Sequence, residues 1–184
     1  HNVKETPTQP FIAYLTSLAS QGNRGALADL RRGLTAEPGT HPAMFPYVAP
    51  WVPETQRFTW REKVYYIVAA LFATYQSGSS GAQLTTNQGN FGSHCRALIN
   101  KKPQSGSFEA RFSALLKAHR DDLPILLRQI LSILRGEEIP INWDQLFLDL
   151  QQWNSESHIV QRRWANSYWT YRETEPKETQ ELNA

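Results

Sequence analysis

The chain has 184 residues, a formal net charge of +2 and one cysteine. A chain of this length fits a single domain that folds without a disulfide or a structural metal. The lone Cys95 excludes an internal disulfide and suits a reducing compartment, and no segment is apolar enough to span a membrane, so we expect a cytoplasmic protein.

Charge is unevenly distributed along the chain. Residues 173–184 contain four glutamates and one lysine, so the remaining residues carry a net charge of +5, and the window 91–135 alone also carries +5. A basic body favours a polyanionic partner, whereas an acidic segment without aromatics is typical of disorder. We predict one helical domain over 11–172, either undivided or made of two sub-bundles joined near 76–90, and a disordered acidic tail over 173–184.

The first two predicted helices are amphipathic. Pro10 is expected to open a first helix over 11–20. In a second helix over 23–35, leucines recur at helical spacing on one face. Three arginines point away from that face: Arg24, Arg31 and Arg32. A solvated face is the simplest interpretation, but three cations beside a single Asp29 also suit an anion-binding site.

The next two segments are a proline-rich stretch and a strongly apolar one. Residues 38–53 contain too many prolines for a long helix and predict a loop with short helical turns. The stretch 58–75 is the most apolar in the chain and predicts a helix buried on nearly all sides. Thr59 and Glu62 form a capping-box pattern at its start, and Gly78 is expected to end it.

Five more helices are predicted after a polar linker over 77–90, which is long for a compact domain and suggests a functional or mobile loop. Asn90 is the expected cap of the first and Gly136 the expected end of the third. Asn142 and Ser157 are the expected caps of the last two. Since no segment alternates with a strand period, the predicted fold is all-α, a compact bundle of eight or nine helices around one central buried helix.

No catalytic or metal-binding pattern is evident in the sequence. The glycines at 78, 81, 89 and 92 match no phosphate-binding loop, and the histidines are too scattered for a metal site. Cys95 would need a base from elsewhere in the chain, and the run from His119 to Asp122 suits a helix start. We expect no cofactor, no metal and no enzymatic activity; an enzyme built on Cys95 or His119 is the least favoured alternative.

Arginines on successive helices are the chemical feature that remains. Each lies off the apolar stripe of its helix, so a bundle could align them along one groove that binds a phosphate backbone. The residues concerned are Arg96, Arg111, Arg128 and Arg135. The alternative is that several of them pair with carboxylates such as Glu109, Asp121 or Asp144.

The order of the motifs resembles a known family over about residues 11–169. The segments NRGALADLRRGL, FPYV, NFG, SFEARFSALLKAHRDDLPILLRQILSIL and INWDQLFLDLQQWNSESHIVQRRWANSYW together resemble the small subunit (CasB family) of the type I-E CRISPR Cascade surveillance complex. The most specific part is the spacing of Asn142, Trp143, Asp149, Leu150 and Trp153, followed by VQRRWA.

This resemblance implies an all-helical, non-catalytic subunit. Two copies would lie head to tail in the complex, in contact with the crRNA-coating backbone subunit and the large subunit. A basic groove would bind CRISPR RNA and target DNA and help to hold the target and displaced strands of the R-loop. The residues that match the basic positions of the family are Arg24, Arg31, Arg32, Arg96, Arg111, Arg128, Arg162 and Arg163. A helical protein-interaction module without a nucleic-acid role is the alternative.

Overall fold

Nine α-helices make up most of the part of the chain that this computed structural model describes, residues 4–77 and 84–170. They are α1 (Pro10–Ser20), α2 (Arg24–Arg31), α3 (Phe45–Val48), α4 (Trp60–Gln76), α5 (Phe91–Lys101), α6 (Gly106–Lys117), α7 (Leu123–Gly136), α8 (Trp143–Gln151) and α9 (Ile159–Tyr168). Within these two ranges the strand-like pairing is limited to a parallel bridge between Thr85 and Ile141. The all-α prediction is therefore confirmed.

Helix α4 is the buried centre of the fold. Every residue from Val64 to Ala73 is buried, as are Tyr75 and Gln76. Helices α1, α2, α3, α7 and α8 pack against it. A helix that is apolar around most of its circumference needs cover on all sides, and this arrangement supplies it.

The start of α4 differs from the prediction. Thr59 occupies the N-cap position, but its side chain makes no capping hydrogen bond, and the Glu62 carboxylate accepts the backbone N–H of Phe58. Phe58 lies outside the helix and its side chain is 98% exposed. The helix therefore begins where the predicted N-cap places it, and the difference is confined to the capping bonds. The helix ends at Gln76, and Gly78 lies outside the described residues.

Helices α5 and α9 cross at a glycine. A Cβ added to Gly92 would overlap the backbone carbonyl of Trp164, so only glycine permits this approach. The Phe91 ring packs on the Trp164 indole with 5.1 Å between centroids. At the same end of α5 the Asn90 amide donates to the Ser167 hydroxyl at 2.8 Å.

A buried polar cluster around Asn142 fixes the start of α8. Its side-chain oxygen accepts the Gln145 N–H at 3.0 Å, which confirms the predicted cap, and its amide donates to Gly89 O and Thr6 Oγ1, each at 2.9 Å. Its backbone N–H donates to His94 Nε2 at 3.0 Å. The cluster therefore joins the N-terminal segment, α5 and α8.

The helix predicted over 23–35 is divided, since α2 ends at Arg31 and a 3₁₀ turn follows over Arg32–Thr35. Of the other predicted caps and stops, two are met and one is not. Asn90 caps α5 through the Ser93 N–H, and Gly136 is the last residue of α7. Ser157 does not cap α9, because His158 occupies the N-cap position in a left-handed conformation without a side-chain capping bond. The predicted acidic tail, 173–184, lies outside the described residues.

We expect Gly92→Ala to lower the free energy of unfolding by about 1–3 kcal/mol or more, because α5 and α9 would have to separate. Gly106→Ala is the matched control, since a Cβ there would meet nothing within 4 Å and alanine favours the helix. Urea unfolding followed by circular dichroism measures both variants. Equal stabilities for the two would show that the crossing does not depend on the glycine.

The His94 imidazole predicts a pH dependence of stability. Burial lowers the pKa of His94 from 6.5 to about 4, so between these values the unfolded chain binds a proton that the folded chain does not. Stability should therefore fall as the pH drops from 6.5 towards 4, by an amount on the order of 3 kcal/mol. The unfolding free energies of the wild type and of His94→Gln are measured across this pH range. Because both proteins have the same carboxylates, the difference between the two curves reports the effect of His94. Parallel curves for the two proteins would contradict it.

Candidate nucleic-acid interface

The eight predicted arginines all lie at the surface. Two are half-buried, Arg31 and Arg96, and the others are exposed. Arg24 and Arg31 are the first and last residues of α2, and Arg32 opens the 3₁₀ turn Arg32–Thr35. The others lie on α5 (Arg96), α6 (Arg111), α7 (Arg128) and α9 (Arg162 and Arg163).

Few of these guanidinium groups are neutralised by carboxylates. Arg32 pairs with Asp29 at 3.2 Å, and both side chains are partly exposed to solvent. The other seven make no salt bridge within residues 4–77 and 84–170. Pairing of the predicted arginines with Glu109, Asp121 or Asp144 is therefore not observed there. Their charge is available to an external anion.

Arg135 has a structural role that the sequence did not reveal. Its Nε donates to Tyr75 O and its terminal nitrogen donates to Ser77 O, both at 2.6 Å. These carbonyls lie at the C-terminal end of α4, where backbone acceptors have no partner within the helix. Two of the five N–H donors of Arg135 are thus engaged with the backbone, and its place in a phosphate-binding groove stays a prediction.

Arg128 lines a groove of about 520 Å³ between the turn after α2, the start of α4 and the start of α7, which we call the α4–α7 groove. Two further cations, Lys63 and Arg120, line it as well. Lys63 pairs with Glu37 at 3.2 Å and Arg120 pairs with Asp121 at 3.9 Å, and both carboxylates also line the groove. Arg128 is therefore the arginine of this groove without a carboxylate partner among the described residues.

Apolar and aromatic side chains also line the α4–α7 groove. The Arg120 guanidinium carbon lies 5.7 Å from the centroid of the Trp60 ring, a cation–π distance. Trp60 is itself held by its Nε1, which donates to Leu150 O at 2.7 Å. Ile125, on the wall, is 62% exposed. The groove can thus accept a ligand with both an anionic and an apolar part.

Arg163 lines a second groove, of about 440 Å³, between the N-terminal segment, α8 and α9, which we call the α8–α9 groove. Lys4 is its other cation. Glu5 and the buried Asp149 line the same groove, and Asp149 accepts hydrogen bonds from Trp164 Nε1 at 2.7 Å and Gln145 Nε2 at 2.8 Å. Burial raises the pKa of Asp149, and these bonds and the charge of Arg163 offset part of the increase.

Sequence reasoning found some of these cations and missed others. Arg128 and Arg163 were predicted, and they line two separate grooves. Lys4, Lys63 and Arg120 were missed as groove residues. Arg120 lies inside the basic window 91–135, which was the available signal, but Lys4 and Lys63 come from distant segments that only the fold brings close.

The residues considered for catalysis do not form a reactive site. Cys95 is wholly buried, and burial raises the pKa of its thiol well above the usual value, which makes it unreactive. His119 is exposed, with Nδ1 3.3 Å from an Asp121 carboxylate oxygen. Among the residues described, no three His, Cys, Asp or Glu side chains are placed to hold a metal, and no helix could cross a membrane.

Fold and surface together define an all-α protein whose candidate site is a set of exposed, largely unpaired arginines. The sequence model of the CRISPR-associated protein Cse2 family matches residues 26–169. The chain belongs to this family, which confirms the resemblance found in the sequence.

Relatives support this assignment over nearly the full length. A CRISPR-associated protein Cse2 from Thermus thermophilus is 33% identical over 183 residues, covering 97% of this chain and 99% of the relative. The crystal structure of M. ruber CasB has a TM-score of 0.71 at 31% identity, covering 89% of this chain and 94% of that one. A chain from a structure of a CRISPR RNA-guided surveillance complex, pre-nicking, has a TM-score of 0.68 at 26% identity, covering 86% and 91%.

We expect Arg135→Ala to lower the free energy of unfolding by about 1–3 kcal/mol, because two carbonyls at the end of α4 lose their donors. Arg128→Ala, on the same helix, is the matched control and should leave stability unchanged. The stability of Arg135→Lys should lie between those of the other two variants, since one ammonium group cannot reproduce both guanidinium hydrogen bonds in the same geometry. Thermal and urea unfolding report all three. If Arg135→Ala and Arg128→Ala were equally stable, the structural role of Arg135 would be refuted.

Proposed function

We propose that this chain is the non-catalytic small subunit of a type I-E CRISPR Cascade complex in the cytoplasm. Its exposed arginines bind nucleic-acid backbone and help to hold the target and displaced strands of the R-loop during antiviral defence. Its partners are the crRNA-coating backbone subunit, the large subunit, CRISPR RNA, target DNA and a second copy of the chain. The observation that carries this proposal is the shared fold with a chain of a CRISPR RNA-guided surveillance complex.

The surface chemistry supports a role in binding backbone. Seven of the eight predicted arginines make no salt bridge within the described ranges, so they can neutralise phosphates without first breaking an internal pair. Each phosphate contact releases counterions, which gives affinity without a sequence preference. This suits RNA-guided recognition, where base pairing reads the sequence and protein contacts hold the backbone.

The buried state of Cys95 supports a subunit without catalytic activity. A nucleophilic cysteine needs exposure and a neighbouring cation or base that lowers its pKa, whereas burial raises the pKa of this one. His119 has solvent on most of its surface, and its nearest acidic partner, Asp121, belongs to the same turn. Binding and positioning remain as the chemistry available to this chain.

Exposed apolar side chains favour the alternative, a protein-interaction module. Trp169 is 45% exposed, although its ring also packs against Phe112 at 5.6 Å between centroids. Ile125 is 62% exposed on the wall of the α4–α7 groove. If this module were the whole function, Trp169→Ala would prevent assembly with the other subunits while arginine substitutions would leave nucleic-acid binding intact.

We expect Arg128→Gln and Arg163→Gln each to weaken binding of DNA by the assembled complex and to reduce its salt dependence. Each lost phosphate contact should lower the slope of log affinity against log salt by about 0.9 on duplex or about 0.7 on single strands. Lys102→Gln is the matched control, because Lys102 is exposed but pairs with Glu137 at 3.0 Å. Fluorescence anisotropy over a salt series, with unfolding curves for each variant, makes the measurement.

Two results would contradict the proposal. One is an assembled wild-type complex whose nucleic-acid affinity is independent of salt. The other is a set of arginine variants that bind as tightly as Lys102→Gln and keep the wild-type slope. Complexes are compared only after gel filtration shows that every variant assembles, which separates lost binding from lost assembly.

A further inference from the structure

Phe58 is the most exposed large apolar side chain in the described part of the structure. Its side chain is 98% exposed, compared with 62% for Ile125, the next in order. It lies in the short connection between the 3₁₀ turn Glu54–Gln56 and α4, where the chain could have carried a polar residue at no cost to the core. Burial in the folded chain therefore cannot explain a phenylalanine at this position.

The backbone at Phe58 is also unusual. Its φ angle of 63° lies in the left-handed region, which bulky residues rarely adopt and which glycine, asparagine or aspartate would occupy more easily. The Phe58 N–H donates to the Glu62 carboxylate, and the Thr59 N–H donates to Gln56 O at 3.3 Å. These bonds constrain the backbone of the turn, from which the Phe58 side chain extends into solvent. An aromatic residue kept in a costly conformation indicates a functional role.

Two arginines flank the ring in the chain. Arg57 precedes it directly and Arg61 lies on the first turn of α4, and both are exposed without a salt bridge to any other residue in the described ranges. Two carboxylates belong to the same stretch. Glu62 is turned towards the Phe58 N–H, and Glu54 is exposed at the start of the preceding turn. Phe58 therefore lies within three residues of two exposed arginines that make no salt bridge in the described ranges.

We propose that Phe58 is a stacking platform for an unpaired nucleobase, with Arg57 and Arg61 binding the phosphates on either side of that nucleotide. This inference rests on the proposed function and adds a contact to the base itself. Proteins that bind single strands without sequence preference combine aromatic rings with cations in this way, since every base has a π-face. A protein anchor is less favoured, because the chain neighbours of Phe58 are charged or polar.

Binding of a fluorescent oligothymidylate by the full chain in the assembled complex tests the proposal. Phe58→Ala and Phe58→Leu should weaken binding by about 5- to 150-fold without changing the salt slope, whereas Phe58→Trp should retain it. Arg57→Gln and Arg61→Gln should each lower the slope by about 0.7. Binding of a blunt duplex of the same length should change little for the Phe58 variants, because its bases are already stacked.

A second measurement locates the contact directly. Irradiation of the complex with an oligonucleotide that carries 5-iodouracil should cross-link the peptide that contains Phe58, and Phe58→Leu should remove that product. Because the Phe58 side chain is almost fully exposed, its replacement should leave folding intact, and circular dichroism checks this for every variant.

The outcomes separate this proposal from the one on which it rests. If the wild type binds oligothymidylate and Phe58→Leu binds equally well, the stacking platform is refuted while the backbone-binding function stands. If Phe58→Ala prevents assembly, and the isolated Phe58→Ala chain binds oligothymidylate as tightly as the isolated wild-type chain, the ring is a protein anchor and the proposal fails. If the wild-type complex binds neither single strand nor duplex at low salt, the proposed function itself fails.

Discussion

Helix α4 must be covered by other helices on all sides, and this requirement determines most of the structure. Residues Val64 to Ala73 are buried without interruption, so helices on every side must turn their apolar faces inwards. Long cationic side chains on those helices are then directed outwards. Arg135 is the informative exception, because it remains at the surface yet its donors bind the open carbonyls of α4. The same constraint thus produces the core around α4 and the outward cations of α2 and α7.

Packing of the C-terminal helices depends on small, specific contacts. Gly92 allows α5 and α9 to touch along their backbones, while Asn142 joins α8 to α5 and to the N-terminal segment. Asp149 then binds the Trp164 indole and connects α8 to α9. Arg163 extends from the helix that these contacts fix, so the α8–α9 groove depends on a buried polar network as much as on apolar packing.

Local signals predicted the fold well, and tertiary partners explain where they failed. The apolar periodicity of α4 and the caps at Asn90 and Asn142 depend on neighbours within a few residues, so the sequence contains the information. Arg128 and Arg135 lie seven residues apart on one face of α7, and periodicity cannot distinguish them. Only the end of α4, whose carbonyls accept hydrogen bonds from Arg135, gives that arginine a structural role. The left-handed backbone at Phe58 likewise has no signal in its own sequence.

Two of the predicted arginines, Arg128 and Arg163, line different grooves. A single unpaired arginine on a surface binds one phosphate weakly. Such contacts become effective when a larger assembly holds the nucleic acid nearby, because each then forms at a high effective concentration. A subunit of this kind gains little by binding tightly on its own. Under the proposed function, its arginines would add many small contacts along a strand that base pairing has already placed.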